Sequence, residues 1–137
     1  MLHLLYRGLT GLAGPAVRLY LDHRRRRGKE DAARRNERLG RPALARPNGP
    51  LVWVHGASVG EANSALILIE KLLAEAPDAS VLLTTGTVTS AQIIAGRLPA
   101  RAFHQFAPVD LPGAVARCRR GLRAFACGLQ GCLGVGL

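Results

Sequence analysis

The chain has 137 residues and a mass of 14.6 kDa, which allows one domain or part of a larger one. Apolar residues make up 48% and charged residues 20%, so the composition excludes a disordered chain. Aromatic residues are only 4%, and the core must therefore be mostly aliphatic. The net charge of +10 favours an anionic partner, such as nucleic acid, a membrane surface or a phosphorylated substrate.

Charge and cysteine are unevenly distributed along the chain. Residues 1–49 contain twelve basic and four acidic residues, whereas residues 50–137 contain seven and five. The basicity therefore belongs to the N-terminal third. The three cysteines, Cys118, Cys127 and Cys132, have spacings that fit neither a metal knuckle nor a disulfide framework, so reduced thiols are expected.

The first 21 residues have the pattern of a helix that lies in a membrane interface. Arg7 and Arg18 fall on one side of this helix, and the longest uncharged stretch is too short to cross a bilayer. Six apolar residues share the opposite face: Leu2, Leu5, Leu9, Leu12, Ala16 and Leu19.

Four consecutive arginines, Arg24–Arg27, follow this segment. Beside an apolar helix they are expected to attract anionic lipid, at roughly 1 kcal/mol per charge, and to mark the cytoplasmic side. Two alternatives stay open, namely an ordinary amphipathic helix packed on a domain and a nucleic-acid binding module. No aromatic residues are interleaved with the arginines, and no recognised nucleic-acid motif accompanies them, so we expect no nucleic-acid partner.

The chain divides by composition into four parts. Residues 1–27 are predicted to form the membrane-associating helix with its arginine cluster. Residues 28–50 are predicted to be a polar helix over 29–39, ended by Gly40, followed by a proline- and glycine-rich linker. Residues 51–117 form the globular part, and residues 118–137 form an atypical tail.

The globular part alternates between strand and helix patterns. Apolar runs at 51–55, 80–84 and 102–106 predict buried strands, and helical patterns follow each of them. This alternation predicts an α/β fold with a Rossmann-like parallel sheet. Ligands of such sheets bind at the carboxyl ends of the strands, where two loops lie at 56–61 (the first loop) and 84–90 (the second loop).

The first loop places an acid at the start of a helix. Ser58 and Glu61 have the S-x-x-E spacing of a capping box, which is a purely structural interpretation. The alternative is that Glu61 is a general base, with Gly60 admitting a substrate close to the backbone. His55 ends the preceding strand and is a candidate for substrate contact, although a structural hydrogen-bonded histidine fits equally well.

The second loop is rich in hydroxyl groups. Thr85 and Thr87 are candidates for binding a phosphate or a sugar at a helix N-terminus, while simple capping by Thr89 or Ser90 is the alternative. No histidine, cysteine or carboxylate cluster has metal-ligand spacing, so we expect neither a metal nor another cofactor.

Four blocks follow one another in a distinctive order: Glu37-Arg-Leu-Gly40, His55-Gly-Ala-Ser-Val-Gly-Glu61, Thr84-Thr-Gly-Thr-Val-Thr-Ser90 and Pro108-Val-Asp-Leu-Pro112. Together with the apolar, basic N-terminus they resemble the N-terminal part of the 3-deoxy-D-manno-octulosonic acid (Kdo) transferases of Gram-negative bacteria. The resemblance extends to about residue 117.

This resemblance implies a two-domain GT-B glycosyltransferase at the cytoplasmic face of the inner membrane. Such an enzyme transfers Kdo from CMP-Kdo to a lipid A precursor in lipopolysaccharide synthesis. The resemblance also implies that Glu61 accepts the proton of the acceptor hydroxyl. The candidate substrate-binding residues, from their place in the two loops, are Ser58, Gly60, His55, Thr85 and Thr87. A different GT-B enzyme, acting on another lipid-linked acceptor, is the alternative within this class.

The last twenty residues depart from the family. The family continues there with a helix, a strand and an acidic E-x-E-L-W-P motif, whereas residues 118–137 contain every cysteine and no acid. We therefore expect that this tail comes from a shifted reading frame. We also expect that the chain is a fragment that lacks most of the CMP-Kdo site and is inactive alone.

Overall fold

The structure is a computed structural model that describes residues 8–9, 13–109, 112–122 and 125–128. It contains five helices in this described part: α1 Gly14–Arg26, α2 Arg35–Arg38, α3 Val59–Glu75, α4 Val88–Ile94 and α5 Pro112–Leu122. Four strands alternate with them: β1 Leu51–Gly56, β2 Ser80–Thr85, β3 Ala102–Phe106 and β4 Phe125–Gly128. This alternation confirms the predicted α/β class.

The four strands form one parallel sheet in the order β3-β2-β1-β4. The chain moves outward from β1 to β3 and then returns to pair β4 with Val52–His55 of β1. The direction of winding therefore reverses at β1. In open α/β sheets, ligands bind outside the carboxyl ends of the strands at such a switch point, and the first loop leaves β1 at this place.

Two apolar clusters cover the two faces of the sheet. On one face, α3 packs its buried stripe of Ala62, Ala65, Leu66, Ile69 and Leu73 against the strands. On the other face, Cys118 and Leu122 of α5 pack against Leu51 and Leu82. Every residue of β2 is buried, because β2 lies between two strands and between two helical layers.

The polar helix predicted over 29–39 is wrong except for its last turn, since only Arg35–Arg38 are helical. The Asp31 carboxylate accepts a hydrogen bond from the Ala33 N–H at 2.9 Å, which holds a local turn instead of a helix. Side chains of the α2 turn bind other parts of the fold, so long-range contacts decide the conformation of this segment.

Helix α1 is joined to the fold through Leu21 and Asp22. Leu21 is 2% exposed, and Asp22 pairs with Arg35 at 2.8 Å. Leu9 and Leu19, which belong to the predicted apolar face, are 67% and 70% exposed. In the described ranges, no helix is both long enough and apolar enough to span a bilayer. The predicted face also includes Leu2, Leu5 and Leu12, and these lie outside the described residues together with Arg7.

Helix α5 continues beyond the predicted end near residue 117 and reaches Leu122. Its Cys118 is completely buried, and this burial raises the pKa of the thiol to about 11. The tail boundary predicted at 117/118 thus falls within a helix that packs on the sheet. Residues 129–137 lie outside the described residues, and a shifted reading frame stays a prediction that sequencing of the gene would test.

Candidate active site

The first loop caps the start of α3 through Ser58 and Glu61, although the Glu61 carboxylate binds the N–H of Ala57 and not that of the N-cap residue Ser58. Ser58 Oγ accepts a hydrogen bond from the Glu61 N–H at 3.2 Å, and the Glu61 carboxylate accepts one from the Ala57 N–H at 2.8 Å. The capping interpretation of the S-x-x-E spacing is therefore confirmed. The same contacts hold a carboxylate at the positive end of a 17-residue helix, at the switch point of the sheet.

Two glycines shape this loop in different ways. A Cβ at Gly56 would lie 3.0 Å from the Ala62 N, so the first turn of α3 can approach β1 only with glycine there. Gly60 lies in the first helical turn, is exposed, and has only Ser58 Oγ within 4.0 Å of its Cβ position. The loop is thus tight against the sheet at Gly56 and open to solvent at Gly60.

His55 lies beside this carboxylate, at the end of β1. Its Nδ1 is 3.0 Å from Thr84 Oγ1, which also accepts a hydrogen bond from Trp53 Nε1–H at 2.9 Å. Burial lowers the pKa of His55, and the negative charge of Glu61 partly opposes this change. The imidazole is therefore neutral at pH 7 and is electrostatically coupled to Glu61.

The hydroxyls of the second loop face different environments. Thr87, rather than Thr89 or Ser90, is the N-cap of α4, since its Oγ1 accepts from the Ser90 N–H at 3.1 Å. Thr85 is fully buried, and its hydroxyl lies 2.9 Å from His104 Nε2. Thr85 and Thr87 therefore do not form one continuous open surface, and their predicted binding roles remain predictions.

Sequence reasoning missed the support that the α2 region gives to the second loop. Arg34 contacts His104 Nδ1 at 3.1 Å and donates to the His104 carbonyl at 2.9 Å. A guanidinium can only donate, so Nδ1 accepts and Nε2–H donates to Thr85. Burial, with a smaller contribution from the Arg34 charge, lowers the pKa of His104 to about 4. This histidine is thus neutral and structural.

The Glu37-Arg-Leu-Gly40 block connects the ends of β3 and α5. Glu37 is 3% exposed and accepts from the Phe106 N–H, while the Leu39 carbonyl accepts from Arg117. Gly40 has φ +77°, and a Cβ there would overlap the Ala114 carbonyl oxygen. The signal in the sequence was Glu37 itself, an isolated acid in a strongly basic segment.

No group of histidine, cysteine or carboxylate side chains able to hold a metal occurs in the part of the chain that the structure describes. The candidate site consists of Glu61 with its cap, the His55–Thr84 pair and the N-terminus of α4.

A parallel α/β sheet with a helix-capping glutamate at its switch point is consistent with the N-terminal domain of a glycosyltransferase. The chain belongs to the Kdo transferase family, because residues 33–128 match the family described as "3-Deoxy-D-manno-octulosonic-acid transferase (kdotransferase)". The matched range includes both α5 and β4, so the family match extends to residue 128, beyond the end that we expected near residue 117.

Individual relatives agree with this assignment. The chain is 41% identical over 113 residues to the "Probable 3-deoxy-D-manno-octulosonic acid transferase, mitochondrial" of Arabidopsis thaliana, covering 82% of this chain and 25% of the relative. It is 40% identical over 83 residues to the "3-deoxy-D-manno-octulosonic acid transferase" of Rickettsia bellii, which covers 61% of this chain and 20% of the relative. The Haemophilus influenzae protein is 31% identical over 91 residues, covering 66% and 21%. The chain thus spans a quarter or less of the length of these relatives. No solved structure matches it significantly.

Proposed function

We propose that this chain is the acceptor-binding part of a GT-B glycosyltransferase that moves Kdo from CMP-Kdo to a lipid A precursor in lipopolysaccharide synthesis. The observation that carries the proposal is the position of Glu61, which is partly exposed at the switch point of the sheet and held by the Ala57 N–H. Family membership and the names of the relatives support the identity of the transferred sugar.

In this reaction an acceptor hydroxyl attacks the anomeric carbon of Kdo. The bond between this carbon and the phosphate oxygen of CMP breaks, CMP leaves with the electron pair, and Glu61 takes the hydroxyl proton. The Ala57 N–H orients one carboxylate oxygen, and among the described residues no donor contacts the other one, which is therefore available as the base. Binding energy and orientation of the acceptor supply the rest of the rate enhancement.

The other predicted site residues have narrower proposed roles. His55 lies within the electrostatic influence of Glu61 and would contact the acceptor sugar. Ser58 and Gly60 would shape the loop around the acceptor, and Thr87 would meet it at the N-terminus of α4. Thr85 is buried, so its contribution would be to place the second loop through His104.

Two substitutions separate the base from the cap. Glu61→Gln keeps a carbonyl oxygen that can accept from the Ala57 N–H but removes the basic group, whereas Ser58→Ala removes the cap and keeps the carboxylate. In the complete protein with its second domain, we expect Kdo transfer to fall at least about 100-fold in the Glu61→Gln variant. The Ser58→Ala variant should lose about 1 kcal/mol of stability and lose less activity than the Glu61→Gln variant. Near-parental activity of the Glu61→Gln variant would reduce Glu61 to a structural cap.

The binding site of the sugar donor, CMP-Kdo, is proposed to lie largely outside these 137 residues. Because the chain covers a quarter or less of its relatives, CMP-Kdo is proposed to bind mostly on the remainder of the protein. The 137-residue chain alone should therefore transfer no Kdo. Transfer by the purified chain would contradict this part of the proposal.

Helix α1 is proposed to lie on the cytoplasmic face of the inner membrane, with Leu19 and its neighbours in the lipid interface. The arginine cluster is divided in function. Arg24 pairs with Glu30 at 2.8 Å, whereas Arg25, Arg26 and Arg27 are exposed and available to anionic headgroups.

Vesicle flotation tests this proposal. Neutralising residues 25–27 with glutamine should weaken binding to anionic vesicles and leave the fold intact, while Arg24→Gln should mainly destabilise α1. Binding to nucleic acid that exceeds binding to anionic vesicles would favour the alternative module.

A further inference from the structure

The Thr84 hydroxyl is fully buried and has three polar neighbours. It lies 2.9 Å from Trp53 Nε1, 3.0 Å from His55 Nδ1 and 3.5 Å from the Val54 carbonyl oxygen. Thr84 and His55 are paired directly across β1 and β2, so their side chains leave the same face of the sheet. The hydroxyl therefore sits under the candidate active site as a fixed junction between the two strands.

The hydrogen bonds available to this hydroxyl, one as donor and two as acceptor, determine which nitrogen of His55 carries the proton. An indole N–H can only donate and a carbonyl can only accept, so Trp53 fills one lone pair and the hydroxyl proton points to Val54. The 3.0 Å contact with His55 Nδ1 fits either direction of donation by itself. Only donation by Nδ1 lets the hydroxyl use all three of its contacts. This arrangement satisfies all three hydrogen-bonding positions of a completely buried hydroxyl, whereas a hydroxyl that donated to Nδ1 would leave the Val54 contact unused.

We propose that Thr84 is a positioning residue that holds neutral His55 with its proton on Nδ1, so that Nε2 accepts a hydrogen bond from a ligand hydroxyl beside Glu61. This inference rests on the proposed function, since it assigns the ligand as a polyhydroxylated sugar. A sugar hydroxyl that donates to Nε2 is held in place while Glu61 takes the proton of the attacking hydroxyl. Within the described residues, no side chain occupies Nε2 of His55.

The neighbouring threonine provides an internal comparison. Thr85 bonds His104 Nε2, and the Arg34 guanidinium fixes His104 with its proton on Nε2. Two consecutive threonines thus hold two neutral histidines in opposite tautomers. One histidine is sealed in the fold, and the other presents its free nitrogen at the switch point of the sheet.

Nitrogen-15 NMR of the histidine side chains tests the tautomer without any need for activity. At about pH 8, where both imidazoles are neutral, the parent chain should show His55 protonated on Nδ1 and His104 on Nε2. Thr84→Val keeps the size of the side chain and should shift His55 toward protonation on Nε2, whereas Thr84→Ser should preserve the parental signal. Thr85→Val should leave His55 unchanged. A parent His55 protonated on Nε2, or an unchanged signal in Thr84→Val, would overturn the proposal.

Kinetics of the complete protein test the binding consequence. Thr84→Val should raise KM for the acceptor at least about fivefold, about 1 kcal/mol of binding, with a smaller effect on kcat, and Thr84→Ser should restore the parental KM. Unchanged KM in an active Thr84→Val enzyme would refute the positioning role. Absence of Kdo transfer by the complete parent protein would instead refute the proposed function, and the NMR result would still decide the tautomer.

Discussion

The Glu37 carboxylate accepts a hydrogen bond of 2.8 Å from the Phe106 N–H, although the two residues are 69 positions apart. The same carboxylate pairs at 2.9 Å with Arg34, whose guanidinium lies 4.7 Å from the centroid of the Phe106 ring. A salt bridge, a backbone hydrogen bond and a cation–π contact thus converge at the end of β3. Residues 34–37 of the basic N-terminal segment are therefore an integral part of the fold.

Replacement of Glu37 should destabilise the protein strongly. Glu37→Ala leaves the Phe106 N–H without its acceptor and Arg34 without its counter-ion, and we expect a loss of about 3 kcal/mol in the free energy of unfolding. Chemical denaturation measures this loss. Glu70→Ala, at an exposed position of α3, is the matched control and should change stability by less than about 0.5 kcal/mol. Equal stability of the two variants would show that the Glu37 contacts do not stabilise the fold.

Two glycines with nearly the same backbone conformation should respond differently to alanine. Gly40 and Gly96 have φ +77° and +76°, but only at Gly40 would a Cβ collide with other backbone atoms, those of Ala114. We expect Gly96→Ala to cost about 1 kcal/mol from backbone strain alone. Gly40→Ala should cost at least about 3 kcal/mol, because α5 must also move away. Thermal unfolding of both variants provides the comparison, and similar melting temperatures would contradict the close packing.

The stability of the protein should fall as the pH is lowered below about 6.5. His104 has a folded-state pKa of about 4, so the unfolded chain binds a proton first and gains stability relative to the folded one. The loss begins near the unfolded pKa of 6.5 and is complete below about pH 4. Urea titrations across this range should give a smaller slope for His104→Gln. A residual slope is expected from His55, whose pKa is also lowered by burial.

His23 is the control for this pH experiment, since it is exposed near the end of α1. The His23→Gln variant should retain the parental dependence of stability on pH. If His104→Gln and the parent lost stability in parallel between pH 6.5 and 4, the linkage to His104 would be refuted.

Leu19 and Leu21 should separate membrane binding from folding. Leu19 is 70% exposed, so Leu19→Ser should leave the unfolding free energy within about 0.5 kcal/mol and weaken vesicle binding. Leu21 is 2% exposed, and Leu21→Ser should cost about 3 kcal/mol. Flotation with anionic vesicles, beside chemical denaturation, measures both effects. Vesicle binding of Leu19→Ser equal to the parent would argue against α1 as the lipid contact.

Much of the sheet could be predicted because each of its first three strands is indicated by a short stretch of neighbouring residues. Residues 51–55, 80–84 and 102–106 are short apolar runs between turn residues, and the structure extends only two of them, each by one residue. The capping box at Ser58 and Glu61 was equally visible, since it depends on residues three apart. Local patterns thus located the strand ends and the loop that carries the candidate base.

Features that depend on distant contacts could not be predicted in the same way. Residues 29–34 have a helical pattern in the sequence, and the contacts of Arg34 and Glu37 with β3, which the sequence does not reveal, accompany a turn there instead. In the sequence Arg24 is equivalent to the other three arginines, and only the structure shows that it pairs with Glu30. Strand β4 lies in a segment whose composition departs from the preceding residues, and only its pairing with β1 identifies it as part of the sheet.

The position of β1 has a consequence for the order in which the domain assembles. Val52 pairs with Val81 on one side and with Phe125 on the other, so β1 obtains its last neighbour from the most C-terminal strand of the described residues. During synthesis from the N-terminus, the edge of β1 at residues 52–55 stays open until 125–128 have left the ribosome. Over that interval the strand that bears His55 is able to pair with a foreign strand. The candidate catalytic loop is therefore synthesised well before β4 completes the sheet beside it. Its folding is for this reason sensitive to any interruption of the chain between β1 and β4.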